Sequence, residues 1–331
     1  VWRSWIFLFV GIFIFTVFEN RTQSTELVER ALVAASLGCA IIALIEITLL
    51  PELYWALRFK GWESTPLHTE LKSYSSLAVF LIPLCLAIGW SKKGWWQFLA
   101  LATAITFLLL VILNYNRAAM AGLLSAGVLS LILLLVRFGA KTFLSLALIT
   151  LGSVIWYTLD WLHSSRVDIV RKSPTGDWWF PIWLVDFQRQ TIWEHVSTFT
   201  FHNSPFFGIG PNTVNFIPGA NRPLPGNETL NLIPAHPHSW LFEIFAETGL
   251  VGCGVLVIAL TLITWRLTKT YLAFGNPMVL CSIGIMAAYW VSGLFNFSFW
   301  SAWWQTSFFL SMAFALACSG KNIETKSADR D

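Results

Sequence analysis

The sequence predicts an all-α protein, a polytopic transmembrane helical bundle with one large folded loop before its last three helices. Charged residues make up 12% of the 331 residues, about half the roughly 25% of a soluble domain. Hydrophobic residues reach 56%, and they form runs of about 20 residues, the length with which a helix crosses roughly 30 Å of hydrocarbon. The net charge is only +3 and the longest basic block is Lys92-Lys93, which argues against nucleic acid as a partner.

Nine apolar windows are expected to form membrane spans. They cover residues 3–18, 31–50, 74–90, 95–113, 118–136, 142–159, 240–265, 276–296 and 301–319. The predicted organisation is therefore six spans within 1–159, a loop over 160–238, three spans within 239–319 and a polar tail over 320–331. All five cysteines fall inside these windows, where they are expected to be buried apolar residues rather than disulfide partners.

Positive charge orients the predicted bundle. Successive connections between spans lie on opposite sides of the membrane. Outside the long loop, the connections on one side hold eleven Lys and Arg residues and those on the other side hold five. The positive-inside rule then predicts a cytoplasmic C-terminal tail and an outer location for the loop over 160–238. Nine spans would leave Val1 outside, and the chain starts without Met, so we expect an odd number of further helices before residue 1.

The long outer loop is expected to fold. It carries five tryptophans and little low-complexity sequence, which is untypical of a disordered segment. Short helices on the outer membrane face are the predicted form. The histidines of the whole chain all fall on the same predicted side: His68, His163, His195, His202, His236 and His238.

Arg117 is the first candidate for chemistry. It stands in a short connection, Asn114-Tyr-Asn-Arg, where one apolar span ends and the next begins. An ionisable group at a span end is a candidate functional residue, and a positive charge on the outer side runs against the topology rule. The alternative is that the guanidinium simply extends to the water interface.

Arg189 is the second candidate. It lies in Asp186-Phe-Gln-Arg-Gln-Thr-Ile-Trp-Glu-His, where it takes the more polar face if the segment is helical. By itself this pattern is more typical of a solvated surface helix than of a functional site. The following Gly208, Gly210 and Pro211 indicate a turn, and their spacing does not match that of a phosphate-binding loop.

The segment that begins at His236 leads from the loop into a span. If it is helical, Ser239, Glu243 and Glu247 recur at every fourth residue and form a polar stripe entering the membrane. His236 and His238 lack a third ligand at a familiar spacing, so no metal is expected. A neutral histidine at the membrane surface suits the work of a general base, because its pKa is close to ambient pH.

Together these motifs resemble the bacterial O-antigen ligase and O-antigen polymerase superfamily. The shared motifs are Arg117-Ala-Ala-Met-Ala-Gly-Leu, Arg189 with Trp193, Pro205-Phe-Phe-Gly-Ile-Gly-Pro, and His238-Ser239 followed after nine residues by Gly249-Leu-Val-Gly252. There are two departures from the pattern of relatives. Asn116 stands where a Ser is common before the arginine, and His-Pro-His-Ser replaces the frequent His-Ala-His-Asn, so His238 is the histidine matched to the family's base.

The resemblance implies a fold similar to GT-C glycosyltransferases, with twelve helices, of which three would precede this chain. It implies transfer of a glycan from undecaprenyl diphosphate to an acceptor hydroxyl, lipid A-core or another glycan, on the periplasmic face of the bacterial plasma membrane, without metal or cofactor. Arg117 and Arg189 would bind the diphosphate and His238 would be the catalytic base. The remaining polar residues would hold His238 or line the acceptor path: His236, Ser239, Glu243 and Glu247. For Glu243 and Glu247, burial as structural hydrogen-bonding groups is an equal alternative.

Three alternatives stay open at the level of sequence. A polymerase would use a second lipid-linked repeat unit as acceptor, and a protein O-glycosyltransferase would use a Ser or Thr. A small-anion transporter, such as one for bicarbonate, would use Arg117 to bind its anion. The position of the polar groups at the outer surface, rather than at mid-membrane, argues against transport.

Overall fold

The computed structural model describes residues 2–19, 22–57, 70–139, 141–174 and 176–328, and within them the chain forms twelve α-helices, one 3-10 helix and one two-stranded sheet. The first six helices are α1 (Trp2–Glu19), α2 (Thr22–Thr48), α3 (Pro51–Leu57), α4 (Lys72–Ser91), α5 (Trp95–Leu113) and α6 (Arg117–Arg137). The others are α7 (Lys141–Ser165), α8 (Val167–Lys172), α9 (Phe187–Asn203), α10 (Trp240–Phe274), α11 (Pro277–Phe295) and α12 (Ala302–Ala328). The 3-10 helix covers Val214–Phe216, and antiparallel strands β1 and β2 cover Pro223–Leu224 and Asn227–Asn231.

The predicted fold class is confirmed, because each apolar window of the sequence coincides with a long helix. Within the described ranges, six helices are long and apolar enough to cross a membrane: α2, α4, α5, α6, α10 and α11. Helix α1 is a shorter apolar helix over Ser4–Glu19. Helix α12 runs past the predicted end of its span, through to Ala328. His68 lies outside the described residues.

The chain divides into two compact units. The bundle unit consists of residues 2–133, 263–292 and the chain from Ala302 onward, and it contains the first five helices. The loop unit consists of 134–262 and 293–301, and it contains α7 to α9, the sheet and the start of α10.

Aromatic rings form the centre of the bundle unit. Phe80 of α4 and Tyr289 of α11 both pack on Trp304 of α12, with ring centroids 4.7 and 5.3 Å from the indole. Trp304 is one of the largest fully buried side chains among the described residues. Because α4 is far in sequence from the consecutive helices α11 and α12, these three rings fix the packing of the bundle rather than of one hairpin.

Helices α6 and α11 approach closely at Gly122. Ser292 Oγ donates a hydrogen bond to the Ala118 carbonyl at 2.8 Å, and a Cβ at position 122 would lie 2.1 Å from Ser292 Oγ and 2.8 Å from the Ala288 carbonyl oxygen. Small residues are what allow such helix contacts in membranes. The glycine is therefore a packing requirement of this interface.

Gly122→Ala is expected to lower the free energy of unfolding by about 1–3 kcal/mol, the usual cost of overpacking. Gly127→Ala is the matched control, since the same helix carries it and a Cβ there meets nothing within 4 Å. Thermal unfolding of the detergent-solubilised protein measures both. Equal melting temperatures for the two variants would contradict this packing.

The loop unit has an apolar core of its own, as the sequence predicted for a folded loop. Ile192, Trp193 and Val196 form one buried face of α9, and Ile233 and Leu224 pack against it from the segment that contains the sheet. The hairpin itself was not predicted, although Pro225-Gly226 is a turn signal and Gly226 adopts a positive φ of 77°. The core gives α9 a fixed orientation within the unit.

Candidate functional site

In the bundle unit, Arg117 is the first residue of α6. Asn116 precedes it as a buried cap: its Oδ1 accepts a hydrogen bond from Ala119 N at 3.2 Å, and its Nδ2 donates to Ser75 and Ser76, each at 2.8 Å. A serine has too short a side chain to make all of these bonds at once. Asn116 therefore joins the start of α6 to the start of α4 and fixes the backbone from which Arg117 extends.

In the loop unit, the approach to α9 is held by a residue that the sequence analysis missed. Arg166, between α7 and α8, is buried, donates to the carbonyls of Ile182 and Trp183 at 3.3 and 2.6 Å, and forms an ion pair with Asp186. A buried arginine that bonds to several acceptors holds the surrounding backbone in place. It fixes the turn from which α9, and with it Arg189, begins.

Gln190 holds the same turn from the helix side. Its Oε1 accepts a hydrogen bond from Phe180 N at 2.8 Å, and its Nε2 donates to the carbonyls of Phe180 and Val185 at 2.8 and 2.9 Å. The side chain is buried, so each bond replaces one that water cannot make. The residue next to Arg189 in sequence is therefore locked in position.

Arg166→Ala is expected to destabilise the loop unit by about 3 kcal/mol, because it removes the donor that a carboxylate and two carbonyls share in a buried site. Arg171→Ala, an exposed arginine of α8, is the control and is expected to change little. Thermal unfolding and protease resistance of the loop measure the difference. Identical unfolding of the two variants would show that Arg166 does not stabilise the loop unit.

Helix α9 is joined directly to the His-Pro-His segment. Trp193 Nε1 donates a hydrogen bond to the Pro237 carbonyl at 2.8 Å. The indole also stacks on Phe242 of α10, with centroids 4.9 Å apart and planes 15° apart. Trp193 thus connects the helix that carries Arg189 with the backbone between the two histidines.

The two histidines form a compact pair. Their ring centroids lie 4.4 Å apart, and Nδ1 of His236 accepts a hydrogen bond from the backbone N–H of His238 at 3.0 Å. His238 has a positive φ of 55°, a left-handed conformation that is uncommon for residues other than glycine. Such strain persists only where the surroundings enforce it and is concentrated at functional sites.

Arg189 acts electrostatically on His236. Burial first, and then the charge of the Arg189 guanidinium, lower the pKa of His236 to about 4. Arg189 also donates a hydrogen bond to Asn296 Oδ1 at 3.5 Å, in the segment after α11. The structure therefore brings Arg189, His236 and His238 together, while Arg117 belongs to the bundle unit.

Glu243 and Glu247 bind the segment after α11. Glu243 accepts hydrogen bonds from Ser298 Oγ, at 2.8 Å, and from Phe299 N. Glu247 accepts one from Trp300 Nε1 at 2.6 Å and one from Thr213 N at 3.1 Å. The two carboxylates therefore hold two loops of the unit. Ser239, the first residue of the predicted stripe, is also buried and directly precedes α10.

The two glycine motifs pack on each other. Gly249 breaks α10 with a φ of 64°, and around the break Leu250 N and Val251 N donate to the carbonyls of Pro205 and Phe206 at 2.9 and 3.1 Å. A Cβ on Gly249 would lie 2.3 Å from the Phe206 carbonyl carbon. This close approach of two backbones, rather than a ligand, explains the glycine at 249.

Within the described residues, no group of three or more His, Cys, Asp or Glu side chains is arranged to hold a metal ion. Sequence analysis missed the residues whose contacts are made only by the tertiary fold. No motif marks them in sequence. These contacts are Arg166 with Asp186, Asn296 with Arg189, and Trp300 with Glu247.

Comparison with known families agrees with the motifs. Residues 102–257 match a protein-family model described as O-antigen ligase. No curated protein matches the chain. The matched range begins within α5, ends within α10 and includes Arg117, Arg189 and both histidines of the pair. Residues 102–257 of this multi-pass membrane chain are therefore similar to the O-antigen ligase family.

Proposed function

We propose that this protein transfers a glycan from undecaprenyl diphosphate to an acceptor hydroxyl at the outer face of the bacterial plasma membrane, as an O-antigen ligase does. The observation that carries the proposal is the grouping of Arg189, His236 and His238 in one folded unit of a chain that matches this superfamily. A cation beside a histidine pair suits a reaction in which an anionic group leaves and a hydroxyl loses its proton.

In the proposed reaction, the acceptor oxygen attacks the anomeric carbon while a ring nitrogen of His238 takes the hydroxyl proton. The bond from that carbon to the diphosphate oxygen breaks, and its electron pair leaves with the diphosphate. Arg189 and Arg117 stabilise the charge that develops there through bidentate hydrogen bonds. A single displacement of this kind inverts the anomeric centre.

His236 is the less suitable base of the pair. Its Nδ1 already accepts a hydrogen bond from the backbone of His238, so the neutral ring carries its proton on Nε2. A second proton would charge the ring, which its burial and the nearby Arg189 oppose. We therefore assign His236 the work of holding the backbone of His238 in its left-handed conformation.

The depressed pKa of His236 predicts a stability change with pH. The unfolded chain protonates this histidine below about pH 6.5, while the folded pKa is about 4. The unfolded state binds the extra proton between these values, so stability is lost as the pH falls from about 6.5 toward 4. His236→Asn does not titrate, and its side-chain oxygen accepts the same N–H two residues on. Its melting temperature should fall less over this range than that of the wild type; parallel curves would contradict the assignment.

The test of the proposed function uses the purified full-length protein in proteoliposomes with undecaprenyl-diphosphate-linked glycan. Lipid A-core, a second lipid-linked glycan and a Ser/Thr peptide are offered as acceptors, with His238→Asn as the inactive control. Product on lipid A-core supports the ligase. Chain growth assigns a polymerase, and peptide labelling assigns a protein O-glycosyltransferase.

Two further outcomes complete this test. We expect transfer to continue in the presence of a metal chelator, and a loss that added metal reverses would place a metal on the histidine pair. Absence of product with every acceptor, together with uptake of labelled bicarbonate into the same proteoliposomes, would replace glycosyl transfer by anion transport.

A further inference from the structure

Helix α10 has two parts with different surroundings. Before Gly249, its residues are largely buried in the loop unit, including Glu243, Ala246 and Glu247. After Gly249, apolar side chains are exposed, for example Val255 at 63% and Ile258 at 62%. The helix has 35 residues, or about 52 Å at 1.5 Å per residue, whereas the hydrocarbon core is only about 30 Å thick. Only the part after the break needs to be in lipid.

Phe206 and Phe207 lie beside this break. The Phe206 carbonyl accepts the hydrogen bond from Val251 N, so the backbone of the pair lies level with the first exposed turn of α10. Both phenyl rings are exposed, at 61% and 76%. Leu250 and Val251 are exposed on the same stretch of the helix, so the rings continue its apolar surface. Exposed phenylalanines beside an apolar helix surface are typical of segments that enter the boundary between lipid headgroups and acyl chains.

We propose that the outer surface of the bilayer lies at Gly249 and that Phe206 and Phe207 insert into it, so that lipid covers their rings. The nine residues of α10 before the break then belong to the folded loop and not to the hydrocarbon. This removes the cost of burying the carboxylates of Glu243 and Glu247 in lipid, because both are bonded within the loop unit. The placement holds whichever reaction the site performs.

Spin-label accessibility in lipid nanodiscs tests this placement. Cys39 and Cys253, the exposed and half-buried cysteines, are first replaced by Ala in the full-length protein. Single nitroxide labels are then placed at Phe207→Cys, at Val255→Cys as the lipid-facing reference and at Asn221→Cys, an exposed loop position, as the aqueous reference. Collision rates with molecular oxygen, which concentrates in lipid, and with a water-soluble nickel chelate are measured.

We expect the label at position 207 to collide with oxygen as often as the label at 255, and with the nickel chelate several-fold less often than the label at 221. Equal collision with the chelate at 207 and 221 would overturn the proposal by placing the rings in water. Low collision with both reagents at 207 would also overturn it, because protein, such as a second copy of the chain, would then cover the rings.

Discussion

His238→Asn is expected to lower the rate of glycan transfer by roughly 100- to 10,000-fold, the range that a positioned general base contributes. Asparagine tolerates the left-handed conformation that His238 adopts with its φ of 55°, so the backbone of the turn is retained. Its amide takes up no proton at neutral pH. The variant therefore separates the loss of the base from the loss of the fold, which His238→Ala does not.

The rate is measured as product formed per minute in proteoliposomes at saturating donor. His202→Asn is the matched control, since His202 is exposed at the end of α9 in the same unit and bonds to its own helix through the Thr198 carbonyl. It is expected to transfer glycan at the wild-type rate. Near wild-type activity of His238→Asn would remove His238 from the base role.

Arg189→Lys and Arg117→Lys are each expected to lower transfer by about 100-fold or more, the scale of losing one donor to a developing anion. Lysine keeps the positive charge but cannot form the planar two-point contact of a guanidinium with a diphosphate. The loss should be mainly in kcat, because the negative charge on the leaving diphosphate is largest in the transition state. Arg171→Lys, an exposed arginine of the same unit as Arg189, is the control.

The two arginine variants carry different information. Arg189 lies with the histidine pair in the loop unit, so a loss on Arg189→Lys tests that cluster directly. Arg117 extends from α6 in the bundle unit, so a loss on Arg117→Lys tests whether the bundle contributes to the same reaction. Full activity of both lysine variants would contradict bidentate binding of the diphosphate.

The membrane helices were predictable because each depends on local composition. An apolar run of about 20 residues defines a span whatever the rest of the fold does, and α5 matches its predicted window residue for residue. The position at which a span ends depends also on contacts with residues distant in sequence. The predicted window that starts at residue 240 misses the change of surroundings at Gly249, because the hydrogen-bond partners of Glu243 and Glu247 lie more than 30 residues away in sequence.

The candidate site was predictable only in part. His238 and Arg189 are predicted from the resemblance to the superfamily's motifs, and the turn at Gly208 and Gly210 is predicted from glycine, which adopts positive φ there. Asn296 carries no signal in sequence, because its contact with Arg189 spans more than 100 residues. The distinct part that His236 plays likewise depends on one backbone hydrogen bond and on burial, neither of which a His-x-His pattern reveals.

The most direct test of the central claim is the anomeric configuration of the product, measured by NMR together with the amount of undecaprenyl diphosphate released. A donor of defined configuration is used with the full-length protein and the acceptor that it accepts. The single displacement with His238 as base predicts an inverted linkage and one undecaprenyl diphosphate released per glycan transferred. A retained configuration, or transfer without release of the diphosphate lipid, would contradict it.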